Sequence, residues 1–217
     1  MLPGRRRPPA FAEISEEAAR FVARKVYETM HSPLSDLTTD RLVLTPRRTR
    51  HLATLDHLKN DWEVVRMLAM PAWPFVQRSE QAEQDEGFHH LTVLCGKQIV
   101  GEVTVKRAGS GTPPRTMPRL GYFVGRPFWG RGYATEALAA TVAAIFDRPG
   151  FGGDAPVERV GAGVFVDNPA SRRVLEKLGF AKSGSYSLYC RARDSDVDVD
   201  DMQVTRSEFE TVGGRTP

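Results

Sequence analysis

The chain has 217 residues, 41% hydrophobic and 26% charged, with a formal net charge of +3. That length and balance favour one domain with an ordinary buried core, and they exclude disorder throughout. No apolar run approaches the ~18 residues a membrane span needs, so no membrane partner is expected.

The positive excess is mild and does not gather into a patch, so nucleic-acid binding has no strong signal. The same charge suits an enzyme that binds a polyanionic cofactor. Cys95 and Cys190 each sit in an apolar, strand-like run. They read as small hydrophobes in a reducing compartment and not as a disulfide framework, which places the protein in the cytoplasm.

Residues 1–12 are rich in Pro and Arg, and no apolar stretch follows Arg5-Arg6-Arg7 to make a secretory leader. Ile14, Ala18, Phe21, Val22 and Val26 then fall at helical spacing. They predict an amphipathic helix that ends at His31-Ser32-Pro33, since the residue before proline is pushed out of the helical region. Arg41–Thr45 reads as a strand, and Leu52–Leu68 as one or two helices broken at Pro71 and Pro74. His90–Cys95 and Gln98–Lys106, turning at Gly96-Lys97, form a hairpin signal.

A Gly/Pro loop over 109–118 precedes a short strand, Leu120–Val124. An Ala-rich helix runs from Tyr133 to about Phe146, followed by strand Val160–Val166 and helix Pro169–Leu178. A final antiparallel pair lies within Ser183–Arg193 and Met202–Phe209. Strands that first meander and then cross over through helices imply an α/β (α+β) fold, a mixed, mostly antiparallel central sheet with flanking helices. Asp194, Asp196, Asp198, Asp200 and Asp201 read as a solvated acidic hairpin loop. Val199 and Thr205 stand where a calcium loop needs Gly and Glu, so no metal is expected there.

Two segments carry chemistry. In Gly121–Ala137 a strand gives way to a glycine turn that opens directly into a helix. The first turn of a helix has N–H groups without internal partners, and the macrodipole adds positive charge there. Gly130 and Gly132 let an anion approach the backbone, and Arg131 adds a formal charge. The turn lacks the Gly-Lys-Ser/Thr ending of a Walker loop and the third glycine of the dinucleotide fingerprint. By itself it reads equally as a pyrophosphate cradle or as a plain strand–helix joint. In Val164–Phe180, Asn168 suits a helix N-cap, Pro169 the first helical position, and Gly179 the C-terminal stop.

Together the two segments resemble the GNAT superfamily of N-acetyltransferases, in its RimJ/RimL-like branch. Trp129-Gly130-Arg131-Gly132-Tyr133-Ala134-Thr135-Glu136-Ala137 is similar to the acyl-CoA pyrophosphate motif. Asn168-x-x-Ser171, followed by Leu175-Glu176-Lys177-Leu178-Gly179-Phe180, is similar to the second cofactor motif. Thr39-Asp40-Arg41-Leu42-Val43-Leu44 resembles the branch's opening strand. The resemblance runs from about Thr38 to about Phe209. It divides the chain into an extension (1–37), an N-acetyltransferase domain (38–212) and a tail (213–217).

The resemblance implies that strands four and five of the sheet splay apart and that acetyl-CoA, a co-substrate, lies in the gap. Tyr122, Phe123 and Val124 would run along its pantetheine arm. Trp129, Gly130, Arg131, Gly132, Tyr133, Ala134 and Thr135 would surround the pyrophosphate. Asn168 would bond the pantetheine arm, and Ser171 would lie near the sulfur to protonate or solvate the leaving thiolate. A primary amine, either a protein N-terminus or a small molecule, would attack the thioester directly in a ternary complex. Positioning and stabilisation of charge on the thioester oxygen would supply the rate.

The chain departs from the pattern at two places. Pro127 stands where the cofactor motif often begins with Arg or Gln, and Arg119 stands where many relatives carry an acid able to act as general base. An alkylammonium has a pKa near ~10, so a group or a water chain must take its proton. Glu102, Tyr122, and His89 or His90 are the candidates, in that order. Trp62 reads as core, whereas Trp73 and Phe75 are divided between core and a wall of the acceptor site. A homodimer is compatible with the chain. Two other functions stay open: a catalytically weak acyl-CoA-binding regulatory module, and a ribosome- or RNA-associated protein recruited by the basic N-terminus.

Overall fold

The computed structural model describes residues 36–74, 87–110, 116–148, 151 and 156–213. All of them belong to one compact unit, Pro33–Pro217. The helix expected over 14–30, the basic start, Phe75 and the residues past 213 lie outside the described residues.

The elements in chain order are β1 (Leu37–Thr38), β2 (Leu42–Pro46), α1 (Thr49–Lys59), α2 (Trp62–Val65), β3 (Phe88–Cys95) and β4 (Gln98–Lys106). There follow β5 (Arg119–Val124), a short 3-10 turn (Arg126–Phe128), α3 (Tyr133–Asp147), β6 (Arg159–Phe165), α4 (Pro169–Lys177), β7 (Ala181–Cys190), β8 (Ser195–Thr205) and α5 (Arg206–Thr211). The strands form one sheet in the order β1-β2-β3-β4-β5-β6-β8-β7. Neighbours are antiparallel, except that β5 and β6 run parallel through the α3 crossover. This is the mixed, mostly antiparallel sheet with flanking helices that the alternation of elements implies.

Alternation along each strand separates two faces. On one face α3 and α4 pack Leu138, Val142, Ile145, Leu175 and Leu178 against Val103, Val105, Val160 and Met202. On the other, α1 and α2 pack Leu55, Leu58 and Val64 against Phe123. The chain after α2 continues across this second face, where Met67 and Ala69 pack against Phe165, Cys190 and Val199. α3 is nearly all apolar, and its one buried hydroxyl, Thr141, donates to the Ala137 carbonyl at 2.8 Å. The bond offsets the cost of burying that hydroxyl.

Three expectations change. The acidic run read as a loop is largely strand: Asp196, Asp198, Asp200 and Asp201 lie in β8, and only Asp194 stays in the turn. Val197 and Val199 between the aspartates make a period-2 pattern, and the carboxylates find donors across the ladder, such as Ser187 on Asp198 at 2.7 Å. β8 then stops at Thr205. Its hydroxyl caps α5 in a capping box with Glu208, so the predicted strand end at Phe209 is helix. Trp62, read as core, is 41% exposed and meets Trp73 edge to face at 5.7 Å. Cys95 and Cys190 are free thiols.

Candidate functional site

β5 pairs with β4 at all six of its positions but with β6 only at Arg119–Gly161 and Leu120–Ala162. β6 meanwhile stays paired with β8 to Phe165. From residue 121 onward the two parallel strands therefore diverge. Because of the two-residue β1, they are strands five and six here, and they are the pair that the resemblance calls four and five. The Gly125 N–H bonds to Val100 of β4, while the Pro118 carbonyl accepts from Gly161 of β6. By the alternation of a strand, the main-chain groups of Tyr122 and Val124 face the gap. Trp129 donates its indole N–H to the Val124 carbonyl at 2.7 Å, so part of that edge is already capped.

The chain leaves β5 through the 3-10 turn and enters α3 at Gly132, whose φ of 79° is left-handed, as is that of Gly130 at 74°. A side chain at Gly132 would strain this conformation. No side chain caps the helix start, so the N–H groups of its first turn have no side-chain partner. Arg131 is exposed and lies over the Phe128 ring, 5.9 Å from its centre. Trp129, Gly130, Arg131 and Gly132 are all exposed, and Tyr133, Ala134 and Thr135 are half-buried.

The second segment meets the first through a side-chain hydrogen bond as well as apolar packing. Tyr122 of β5 and Ser171 of α4 share a hydrogen bond of 2.8 Å between hydroxyl oxygens. Asn168 caps α4, accepting the Ser171 N–H on Oδ1 at 3.0 Å. Burial pushes the Tyr122 phenol up to about 12, against the lowering effect of the Ser171 bond. At neutral pH the pair can donate a proton but has little capacity to take one. Arg172, the next residue, pairs with Asp200 of β8, which Lys182 also meets at 2.7 Å. These pairs tie α4 to the sheet.

Glu102 lies on β4 opposite Phe123, buried, with Arg47 at 3.2 Å, Lys59 at 3.5 Å and His90 at 3.6 Å. Burial alone would raise its pKa; the contact with His90 and the charges of Lys59 and Arg47 outweigh that and hold it at about 2. The first of the candidate bases is thus a carboxylate held ionised by its neighbours. His90 shares its Nδ1 with Thr104 at 3.3 Å, and His89 stands edge to face with Phe151 at 5.5 Å; both lie on β3, with β4 between them and β5.

The opposite face of the gap holds groups that local sequence did not single out. Arg119 pairs with Asp201 of β8 at 2.5 Å, which sets a carboxylate beside position 119. Gly163 is exposed, and a Cβ there would lie 2.6 Å from the Tyr186 hydroxyl. Gly121, in the facing register position on β5, has open space where its Cβ would be. Above them, the chain from Val64 to Ala69 spans the gap from Phe123 to Phe165. Arg193 fixes that span, donating to the Arg66 carbonyl at 2.6 Å and to both oxygens of Asp167 at 2.7 and 3.2 Å. The end of the β5–β6 ladder is thus flanked on this face by the Arg119–Asp201 pair, the Val64–Ala69 span and Tyr186. Only long-range register brings these residues together, so no motif announces them.

Among the described residues no group of three or more His, Cys, Asp or Glu side chains is gathered to hold a metal ion. Among the same residues no helix is long and apolar enough to cross a membrane.

Comparison with known proteins adds a family and a fold. Residues 41–181 match the model of the acetyltransferase (GNAT) domain. The uncharacterized N-acetyltransferase YoaA of Bacillus subtilis is 31% identical over 87 residues, 40% of this chain, and the chain spans about half that relative's length, 46%. The uncharacterized N-acetyltransferase p20 of Bacillus licheniformis is 25% identical over 185 residues, 81% of this chain and 99% of that protein. Three solved structures share the fold. Mycobacterium smegmatis RimJ, in complex with a CoA disulfide, has a TM-score of 0.64 at 22% identity, over 80% of this chain and 87% of that one. Vibrio cholerae spermidine N-acetyltransferase with CoA and spermine has 0.62 at 16%, over 79% and 99%. RimL, a ribosomal L7/L12 α-N-protein acetyltransferase with coenzyme A, has 0.63 at 18%, over 79% and 98%.

Proposed function

Since the chain belongs to the GNAT acetyltransferase family, we propose that it binds acetyl-CoA in the gap between β5 and β6 and transfers the acetyl group to a primary amine. The observation that carries this reading is the end of the β5–β6 ladder at Leu120–Ala162, beside a helix that opens on two left-handed glycines.

The first-turn N–H groups of α3 and the Arg131 side chain hold the diphosphate, and Tyr133 to Thr135 follow it along the helix. The pantetheine arm takes the place of the missing strand, bonding to main-chain groups of Tyr122 and Val124, with Asn168 on its other side. A strand N–H in the gap receives the thioester oxygen as charge develops on it. The amine nitrogen attacks the carbonyl carbon; a C–N bond forms and the C–S bond breaks. The nitrogen gives up one proton to water before it attacks and a second after the C–N bond forms; the sulfur takes a proton from the Ser171–Tyr122 pair, and the second proton lost by nitrogen restores that pair through water.

The amine enters from the opposite face, through the gap at Gly121 and Gly163. The Tyr186 hydroxyl and the Asp201 carboxylate suit a protonated amine arriving there. Glu102 holds cations in place and takes no part in proton transfer. The acceptor falls in the range represented by the structural neighbours, from a small polyamine to a protein N-terminus, and the protein works in the cytoplasm.

Calorimetry with acetyl-CoA, followed by thiol release across an amine panel of spermidine, an aminoglycoside and N-terminal peptides, tests the reading. Saturable binding and turnover on one class are expected. In Ser171→Ala, kcat falls about 10- to 100-fold with acetyl-CoA affinity unchanged. Absence of binding at millimolar cofactor would overturn the proposal, and an unaltered kcat in Ser171→Ala would remove the serine from it.

A further inference from the structure

Glu136 presents a contradiction at the start of α3. A carboxylate in the first turn favours the helix dipole, but here it stands one turn from the backbone that would receive a diphosphate. Like charges at that range repel.

The β1–β2 turn answers that charge. Oε1 of Glu136 accepts from the Thr39 hydroxyl at 2.5 Å and from the Arg41 N–H at 3.1 Å. Oε2 accepts from Arg41 Nε at 2.7 Å, with Nη2 at 2.5 Å. Burial raises the Glu136 carboxyl, but these bonds outweigh it and hold the group below its ordinary value. The remaining arm of the same guanidinium, Nη1, donates to the Arg131 carbonyl at 3.0 Å. Arg131 lies between the two left-handed glycines. Because a peptide is planar and trans, fixing that carbonyl toward Arg41 turns the Gly132 N–H the other way. Arg41 also lies over the Tyr133 ring, 5.1 Å from its centre.

We propose that Arg41 is a positioning residue for the cofactor's diphosphate: it locks the glycine turn and cancels the Glu136 charge beside the anion site. The inference rests on the coenzyme A reading above. Arg41 is 50% exposed at its side chain, and ion pairs of that kind contribute little to global stability. Its effect is therefore local to the turn. The fork geometry matters, since one guanidinium serves a carboxylate and a carbonyl at once; a lysine ammonium has no such planar fork.

Calorimetric titration of coenzyme A into the wild-type protein, Arg41→Ala, Arg41→Lys, Glu136→Gln and the Arg41→Ala/Glu136→Gln double variant tests this, with thermal melting as the fold control. Arg41→Ala is expected to bind about 30-fold more weakly, and Arg41→Lys about 10-fold, with melting midpoints nearly unchanged. Glu136→Gln alone stays within about 3-fold. The double variant recovers only the charge part, about 3-fold, and stays about 10-fold weaker than the wild type, because the uncancelled carboxylate is gone while the turn remains unlocked. Wild-type affinity in Arg41→Ala, or a double variant as weak as Arg41→Ala, overturns the proposal. No saturation by the wild-type protein overturns the coenzyme reading itself, and the two failures are distinct.

Discussion

On the α3–α4 face of the sheet the groups assigned to the cofactor come from two short runs of chain, 121–137 and 164–180. The opposite face collects Val64, Met67, Arg119, Gly163, Tyr186 and Arg193 from separate elements, joined only by strand register and by packing across the gap. The first kind of site follows local rules: a glycine turn, an open helix start, an Asn cap. The second exists only once the whole sheet has formed. The two should therefore respond independently, with cofactor affinity insensitive to changes on the acceptor face.

The largest test of that separation is Glu102. Its folded pKa of about 2 lies below the ordinary 4.5, so its contribution to stability is present above pH 4.5 and is lost as pH falls from about 4.5 to about 2. The difference corresponds to roughly 3 kcal/mol. Glu102→Gln leaves Arg47 and Lys59 beside a neutral amide, and its deficit in urea melts should be widest at pH 7 and should narrow through that acid window. Coenzyme A affinity in the folded variant stays unchanged. A deficit that is the same at pH 7 and pH 3 would show that the carboxylate charge is not what holds the cluster.

Gly132→Val attacks the other face. A β-branched residue at a φ of 79° is strained, and the turn must flip, moving the N–H groups of the helix start. Coenzyme A binding should weaken about 100-fold, with a melting midpoint lowered by only a few degrees. Binding within 3-fold of wild type would remove the helix start from the diphosphate site.

The smallest effect is expected at Arg193. Arg193→Ala frees the Arg66–Ala69 span from Asp167, raising KM for the amine about 5- to 10-fold while leaving KM for acetyl-CoA alone. Equal rises in both constants would mean that the β6–α4 loop moves as well and that the two faces are coupled through Asp167.

The backbone geometry of the half proposed for the cofactor was legible because its residues are contiguous. Gly130, Gly132, Asn168 and Ser171 act through backbone geometry that a few neighbouring residues determine, and the structure gives each that geometry. The base was not legible. Glu102 stands on the strand beside β5, as its position suggests, but Lys59 of α1, Arg47 of the loop before α1 and the His90 ring of β3 converge on it, and no local pattern reveals them. Arg119 looked like a lost function, yet its side chain meets Asp201, 82 positions away. The acidic run misled for a related reason: five aspartates suggest a solvated turn until Val197 and Val199 find Tyr186 and Leu188 across the ladder.

What the chain alone determined is the order of helices and strands from β2 to β8, the glycine-edged helix start and the capped helix that carries Ser171. All of these depend on the dihedral preferences and hydrogen-bonding needs of adjacent residues. The tertiary structure alone decided where the β5–β6 ladder ends, which cations surround Glu102, and how Arg41 reaches a helix 95 residues further on. Those outcomes are set by strand register and close packing, which sum contacts over the whole sheet and leave no trace in any single stretch of sequence.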